Sequence, residues 1–318
     1  MAFIWNIKKQ ERANTRFLGG SRGLTAGGGT PSAVNTIDYV NIASAGDAID
    51  FGDLVMGTPL GVSGAAANFT RCMWGGGQIN GTRVTNIDYV TIMTTGNAAD
   101  FGDLSLARTQ IASASNSTRG VFQGGKDLTP GDINVTTDYV TMATLGNATD
   151  FGDLGTATAQ GAGVTSPTRM MHGGGVDPAV TNVIEYITIA ATGNYTDFGN
   201  LTAAIGSLSG VDSSTRGVFG GGYTDPAGNT DTIQNIEIAS TGNAIDYGDL
   251  RTATEVLSRA SNSKRGLFKG GHTGSVSNVI DSIMIPNGGT ATDFGDLTEA
   301  RHNCSGSSNC HGGLNDGI

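Results

Sequence analysis

The chain is poor in most of what marks the common functional classes. Three cysteines in 318 residues, Cys72, Cys304 and Cys310, are too few and too unevenly placed for a disulfide framework. Charged residues make up only 14%, and the Ala/Glu/Lys/Leu richness of long helices is missing. That composition fits neither a helical bundle nor a strongly charged disordered tail, and points to an all-β chain. No apolar run reaches the roughly 18 residues of a membrane-spanning helix, so membrane insertion is not expected. The opening "MAFIWNIKK" places its lysines after a very short apolar stretch, the reverse of a secretory leader. Residues 1–20 read instead as a docking segment, with Phe3, Ile4, Trp5 and Ile7 as its apolar contacts.

Motifs for catalysis are scarce too. The four histidines, His172, His272, His302 and His311, have no G-x-S-x-G or comparable nucleophile motif nearby. A protein that is not an enzyme, without a cofactor, is the expectation. Net charge is −10, but 16 of the 28 acids fall inside one recurring phrase, five in its "IDY" slot and eleven in its "DFGD" slot. The acidity therefore follows the repeat, and nucleic acid is not an expected partner.

That phrase is what the chain has in abundance. "IDYVNIASAGDAIDFGDL" at 37–54 returns as "IDYVTIMTTGNAADFGDL" at 87–104. Its aromatic anchor recurs six times, at Phe51, Phe101, Phe151, Phe198, Tyr247 and Phe294, with spacings of 50, 50, 47, 49 and 47 residues. A fixed period of this size marks a repeat architecture, and six copies occupy nearly the whole chain. One domain is expected, over residues 21–318.

Each unit divides into short β-prone runs. In the unit from Ser117 to Leu154, "STRGVFQGG" ends on paired glycines, "NVTTDYVTMAT" carries the tyrosine, and "NATDFGDL" carries the aromatic anchor. "LGN" between the last two predicts a tight hairpin, and the link 155–169 has room for a fourth strand. In "IDYVTI" both alternating faces are largely apolar, as in a strand lying between two sheets. Four antiparallel strands per unit of about 50 residues, covered on both sides by copies of themselves, describe a six-bladed β-propeller. Residues 301–313 begin a unit without finishing it, whereas "SRGLTAGGG" at 21–29 lacks its preceding strand. The C-terminal end is expected to seal the ring there, with Cys310 in the slot of Cys72 and residues 1–20 outside the ring or displacing the final "NCHGG".

Paired glycines (Gly124–Gly125), a tyrosine strand (Tyr139), and an aromatic followed by Leu, Ala and Arg (Phe101, Leu104, Ala107, Arg108) resemble the kelch motif, here with Phe or Tyr where that motif has Trp. Only Arg108 and Arg301 keep the closing arginine. The tandem phrases further resemble kelch-like virion proteins of tailed phages, particularly those of marine cyanobacteria. That resemblance implies a virion location, in the tail or on its fibres, and virion proteins as partners of the N-terminal segment. A host-surface glycan or protein is the further partner it implies. A decoration or tail-assembly protein without a receptor is the second reading, and a polysaccharide-acting enzyme the third.

An arginine precedes the glycines in every unit: Arg22, Arg71, Arg119, Arg169, Arg216 and Arg265. Such a ring could bind anions or mimic a sialidase arginine cluster, but catalytic residues break a repeat's symmetry and structural ones follow it. The structural reading pairs each with the first Asp of "DFGD", namely Asp50, Asp100, Asp150, Asp197, Asp246 and Asp293. Asp150 and Asp153 near a Gly-bearing bend raise calcium, yet turn chemistry accounts for them without metal. His302, Cys304, Cys310 and His311 have zinc-ligand types at unsuitable spacings, and two facing cysteines on adjacent strands are expected instead, reduced or bridged. Metal is not expected at either place. The blades differ most between the glycines and the tyrosine strand. Because the turn between the second and third strands lies opposite the other two turns, these variable loops share one face, where binding usually resides. Arg83, Lys126, Asp127, Asp177, Tyr223, Asp225 and His272 are the ligand-binding candidates there.

Overall fold

The computed structural model describes residues 21–30, 32–55, 64–127 and 133–314. The expected docking segment, with Phe3, Ile4, Trp5 and Ile7, lies outside the described residues. Among those described there is no helix, and six four-stranded antiparallel sheets carry the fold. The third blade pairs Ala112–Ser115, Arg119–Gln123, Thr136–Thr141 and Thr149–Asp153 in chain order. The second, fourth, fifth and sixth blades repeat that order, beginning at Gly64–Ala67, Ala162–Thr165, Ser209–Asp212 and Ser258–Ser261. Each first strand touches the first strands of the blades on either side, so the six line a central axis as a six-bladed β-propeller.

The first blade is completed by the far end of the chain. Ser305–Ser308 pairs antiparallel with Arg22–Ala26, which continues to Thr36–Asn41 and Ile49–Asp53. The expected sealing of the ring is thus observed, and no blade is left with an open inner edge. Within a blade, the turn from first to second strand is closed by a side-chain oxygen: Asn68 Oδ1 accepts the Arg71 N–H at 2.8 Å, and Asn116 and Asn262 do the same for Arg119 and Arg265. Asn309 Oδ1 accepts the Arg22 N–H at 2.9 Å, reproducing that turn across a chain break. This places Asn309 in the slot of Asn68, so Cys310 follows the turn position of Phe69 and does not occupy the strand slot of Cys72.

Hydrophobic burial is concentrated between blades. Leu24, Ile37 and Phe51 of the first blade form one cluster with Ala65, Cys72, Trp74 and Ile92 of the second, and five similar clusters continue round the ring. The third strand of the first blade, Thr36–Asn41, is buried on both faces, as its apolar pattern predicted.

The arginines before the glycines serve this interface, but not through the expected carboxylates. Arg22 Nη1 donates to the Ile92 carbonyl at 2.9 Å, and Arg71, Arg169 and Arg265 reach Met142, Ile238 and Ile42 in the same way, each in the next blade. Arg119 and Arg216 bond the Ile189 and Ile285 carbonyls. Each guanidinium also lies over an aromatic ring of its own blade, 4.7 Å from the centroid of Tyr139 for Arg119. Asp50, Asp100, Asp150, Asp197, Asp246 and Asp293 stand exposed on the outer strands and make no ion pair with these arginines. A strand alternates its side chains, so burying the neighbouring Phe or Tyr turns that Asp away from the interface. The acid that does join blades is the one in "IDY". Asp138 accepts the Ser105 N–H of the preceding link at 3.1 Å, and Asp38, Asp88, Glu185, Gln234 and Asp281 repeat the bond.

The "GN" segment is not a tight hairpin. Seven residues separate Asn41 from Ile49, and the loop leans on the preceding blade. Gly146 N–H donates to Phe101 O at 2.9 Å, and Asn147 Oδ1 accepts the Asp103 N–H at 3.1 Å.

Candidate functional site

Propellers commonly use either the central channel or one end face, and here the channel is crossed by one side chain and capped at one end by the chain itself. Arg259, on the first strand of the sixth blade, extends across the axis to the carbonyls of Ser113, Gly163 and Gly210 on three other blades. At the end where the first strands finish, the segment from Cys310 to Leu314 lies over the opening. His311 Nε2 donates to Ala67 O at 2.8 Å, while its Nδ1 accepts the Gly313 N–H at 3.1 Å, which fixes a neutral tautomer. Burial pulls its pKa below the ordinary value in the same direction. Gly312 N–H donates to Asp212 Oδ1 at 2.6 Å. Gly312 and Gly313 pass so close to the carbonyls of Ser213 and Ser115 that a Cβ at either would collide. This seal is not legible in the repeat, because His311–Leu314 contacts other blades in a way no repeat position shares.

Glycoside hydrolysis needs a pair of carboxylates about 5–10 Å apart. Among the described residues lining the channel there is one, Asp212, and its oxygens hold the N–H groups of Gly312 and Thr165 and the Ser261 hydroxyl.

Cys304 and Cys310 do not face each other on adjacent strands as expected. They flank the same strand, Ser305–Ser308, about 3.3 Å per residue in rise, and are therefore too far apart for a disulfide. All three cysteines are free. Burial pushes the Cys72 thiol up to about 12, so it is inert. The four residues considered for zinc are split between the two ends of that strand, and Asp150 and Asp153 lie along an outer strand. Among the described residues no group of three His, Cys, Asp or Glu converges on a common point.

The variable loops do gather on the face opposite the seal. Each starts from paired glycines at positive φ, such as Gly124 (φ 58°) and Gly125 (φ 102°), where close backbone approach leaves no room for a side chain. Arg83 ends the short hairpin of Gln78–Ile79 and Thr82–Arg83, and Asp177 is exposed in that of Val176–Asp177 and Ala179–Val180. Lys126 is bridged to Thr109 of the preceding link, with Asp127 beside it. Those four ride on the second, third and fourth blades. Tyr223, Asp225 and His272 come together on the fifth and sixth.

Around them the structure adds residues not singled out for this face. Glu255 Oε1 lies 3.8 Å from His272 Nδ1, and the His302 ring is 5.9 Å from that of His272. Asn229 Nδ2 donates to the His272 carbonyl at 2.8 Å. Partial burial, with Glu255 and Asp225 nearby, raises the Tyr223 phenol above its ordinary value. Burial and the neighbouring His272 lower His302. Glu255 and His302 occupy the same position in successive links, a signal that aligning "TATEV" with "EARHN" would have supplied. This cluster of polar, half-buried side chains spanning the fifth, sixth and first blades can donate and accept hydrogen bonds. No protein-family model matches the chain, and no curated protein matches its sequence.

Proposed function

We propose that this chain is a structural and binding protein of a tailed-phage particle, acting by adhesion and not by catalysis. Its propeller presents the variable loop face to a host-surface glycan or protein, and residues 1–20 dock it to another virion protein. The observation that carries this reading is the blocked axis. With Arg259 crossing the channel and Cys310–Leu314 capping it, the non-repeating chemistry is left on the loop face. The virion location rests on the resemblance of the tandem "IDYVTI…DFGDL" phrase to kelch-like virion proteins, since fold alone does not give function. Repetition in an assembled particle would let weak contacts sum by avidity.

The test is binding of the purified protein to cyanobacterial cells and to their extracted surface glycans, beside a variant lacking residues 1–18. Saturable cell binding that survives the truncation, and falls when Tyr223 and His272 are both changed to Ala, supports adhesion by the loop face. Docking to virions without any cell binding would replace it with the decoration reading.

A further inference from the structure

Two of the links between blades turn an arginine inward. Arg108 is fully buried and donates to the carbonyls of Phe122 at 3.3 Å, Gly124 at 2.8 Å and Thr136, and to the Asp138 carboxylate at 2.9 Å. Arg301 repeats the arrangement with the Thr36 carbonyl and Asp38. The same position in the link before the sixth blade is Thr254, whose side chain is too short to reach those acceptors. A cavity of about 200 Å³ lies there. Its wall contains Phe268, Gly270, Val279 and Asp281, which are the repeat positions of Phe122, Gly124, Thr136 and Asp138.

The other described links without arginine are compensated. Before the fourth blade, Thr158 Oγ1 is 2.7 Å from the Nε2 of the buried His172, and before the fifth the arginine's position is the apolar Ile205 and the acid's is the neutral Gln234. Before the sixth the acid is kept and the space is open. Arg251, at the mouth, bonds the Asp281 carboxylate inside at 2.5 Å and the exposed Asp293 on the outer strand at 2.6 Å. Thr252 and Thr273 at the rim are exposed, which connects the cavity to solvent.

We propose that this cavity binds a monoalkylguanidinium cation, either a free small molecule or the arginine side chain of a partner protein. The cavity offers the acceptor positions that hold Arg108, two of which also hold Arg301, and among them the Asp281 carboxylate favours a cation. At about 200 Å³ it exceeds several times the roughly 30 Å³ share of one water, leaving room for the alkyl stem.

The experiment is calorimetric titration of the full chain with methylguanidinium and with N-acetyl-arginine amide at constant ionic strength, using tetramethylammonium as control. Saturable one-site binding is expected, lost in Thr254→Arg, where the new side chain fills the cavity, and weakened at least tenfold in Asp281→Asn. Binding of both compounds identifies an arginine side chain as a ligand, and binding of methylguanidinium alone identifies a free small cation. No saturable binding of either compound to the wild-type protein, or equal binding to Thr254→Arg, overturns the proposal. Should Thr254→Arg fail to fold, a wild-type crystal soaked in methylguanidinium decides: planar density against Asp281 supports the site, and water alone rejects it.

Discussion

Asp38 and Arg301 are both out of water and bonded to each other at 2.5 Å, so neither can be removed without stranding the other. Arg301→Ala should cost about 3–5 kcal/mol in urea denaturation, the usual penalty for an orphaned buried charge. Arg119→Ala removes one carbonyl bond and a stack on Tyr139 from a half-buried site, and should cost about 1–2 kcal/mol. Equal costs would contradict this ranking. Lys269 is a different case: its ammonium donates to Leu24 O at 3.0 Å, and burial pulls its pKa from 10.5 down to about 7. Between pH 7 and 10.5 the unfolded chain holds a proton at this lysine that the folded chain has released. That contribution therefore adds stability as pH rises through the interval, and its full penalty stands below pH 7. Denaturation midpoints should climb across that window in the wild type relative to Lys269→Met. His172, lowered from 6.5 to about 4 by burial, is likewise a base kept neutral in the fold, so its contribution is lost as pH falls from 6.5 to 4. His172→Phe, which restores the residue type of Phe122 and Phe219, should flatten that part of the acid limb. At this scale the regularity of Arg22 through Arg265 was legible as structural, but their partners were not. Backbone carbonyls of the next blade carry no sequence signature, and the acid chosen from "DFGD" faces solvent.

Among the elements, the strands were readable because burial on both faces writes apolar residues at alternating and adjacent positions, as in Thr36–Asn41. The loops were less so. "GN" has the composition of a tight turn, yet its glycine and asparagine serve to lay seven residues against the neighbouring blade. Two glycines separate these roles. Gly102 (φ 148°) sits on an outer strand where a Cβ would strike the Gly146 carbonyl, while Gly146 (φ 150°) has open space around it. Gly146→Ala should lose about 1–3 kcal/mol from backbone strain alone, and Gly102→Ala more than that, because the third and second blades must also part. Melting temperatures of the two variants would show the order, and a milder effect at Gly102 would mean the blades are not held by this approach.

Over the whole molecule, the break between Asn309 and Arg22 is bridged by the same side-chain bond that closes a covalent turn in other blades. A circular permutant that joins Asn309 to Arg22 through two residues and opens the chain between Phe69 and Thr70 should form the same ring. Its melting temperature should stay within a few degrees of a control chain spanning residues 21–309, since no strand pairing changes. A chain ending at Cys304 lacks the inner strand of the first blade, and should lose cooperative unfolding by calorimetry. If that truncation unfolds as sharply as the full chain, closure by Ser305–Ser308 is not what holds the ring. The sequence by itself determined the number of blades and their strands, because each blade must bury the same faces against its neighbours and so repeats the same residues. Only the tertiary structure decided what blocks the axis, what each arginine grips and where a guanidinium-shaped space is left. The first depends on Arg259 and His311, whose partners lie on other blades and leave no mark in the local pattern, and the last on whether packing closes the space left where Thr254 replaces the arginine.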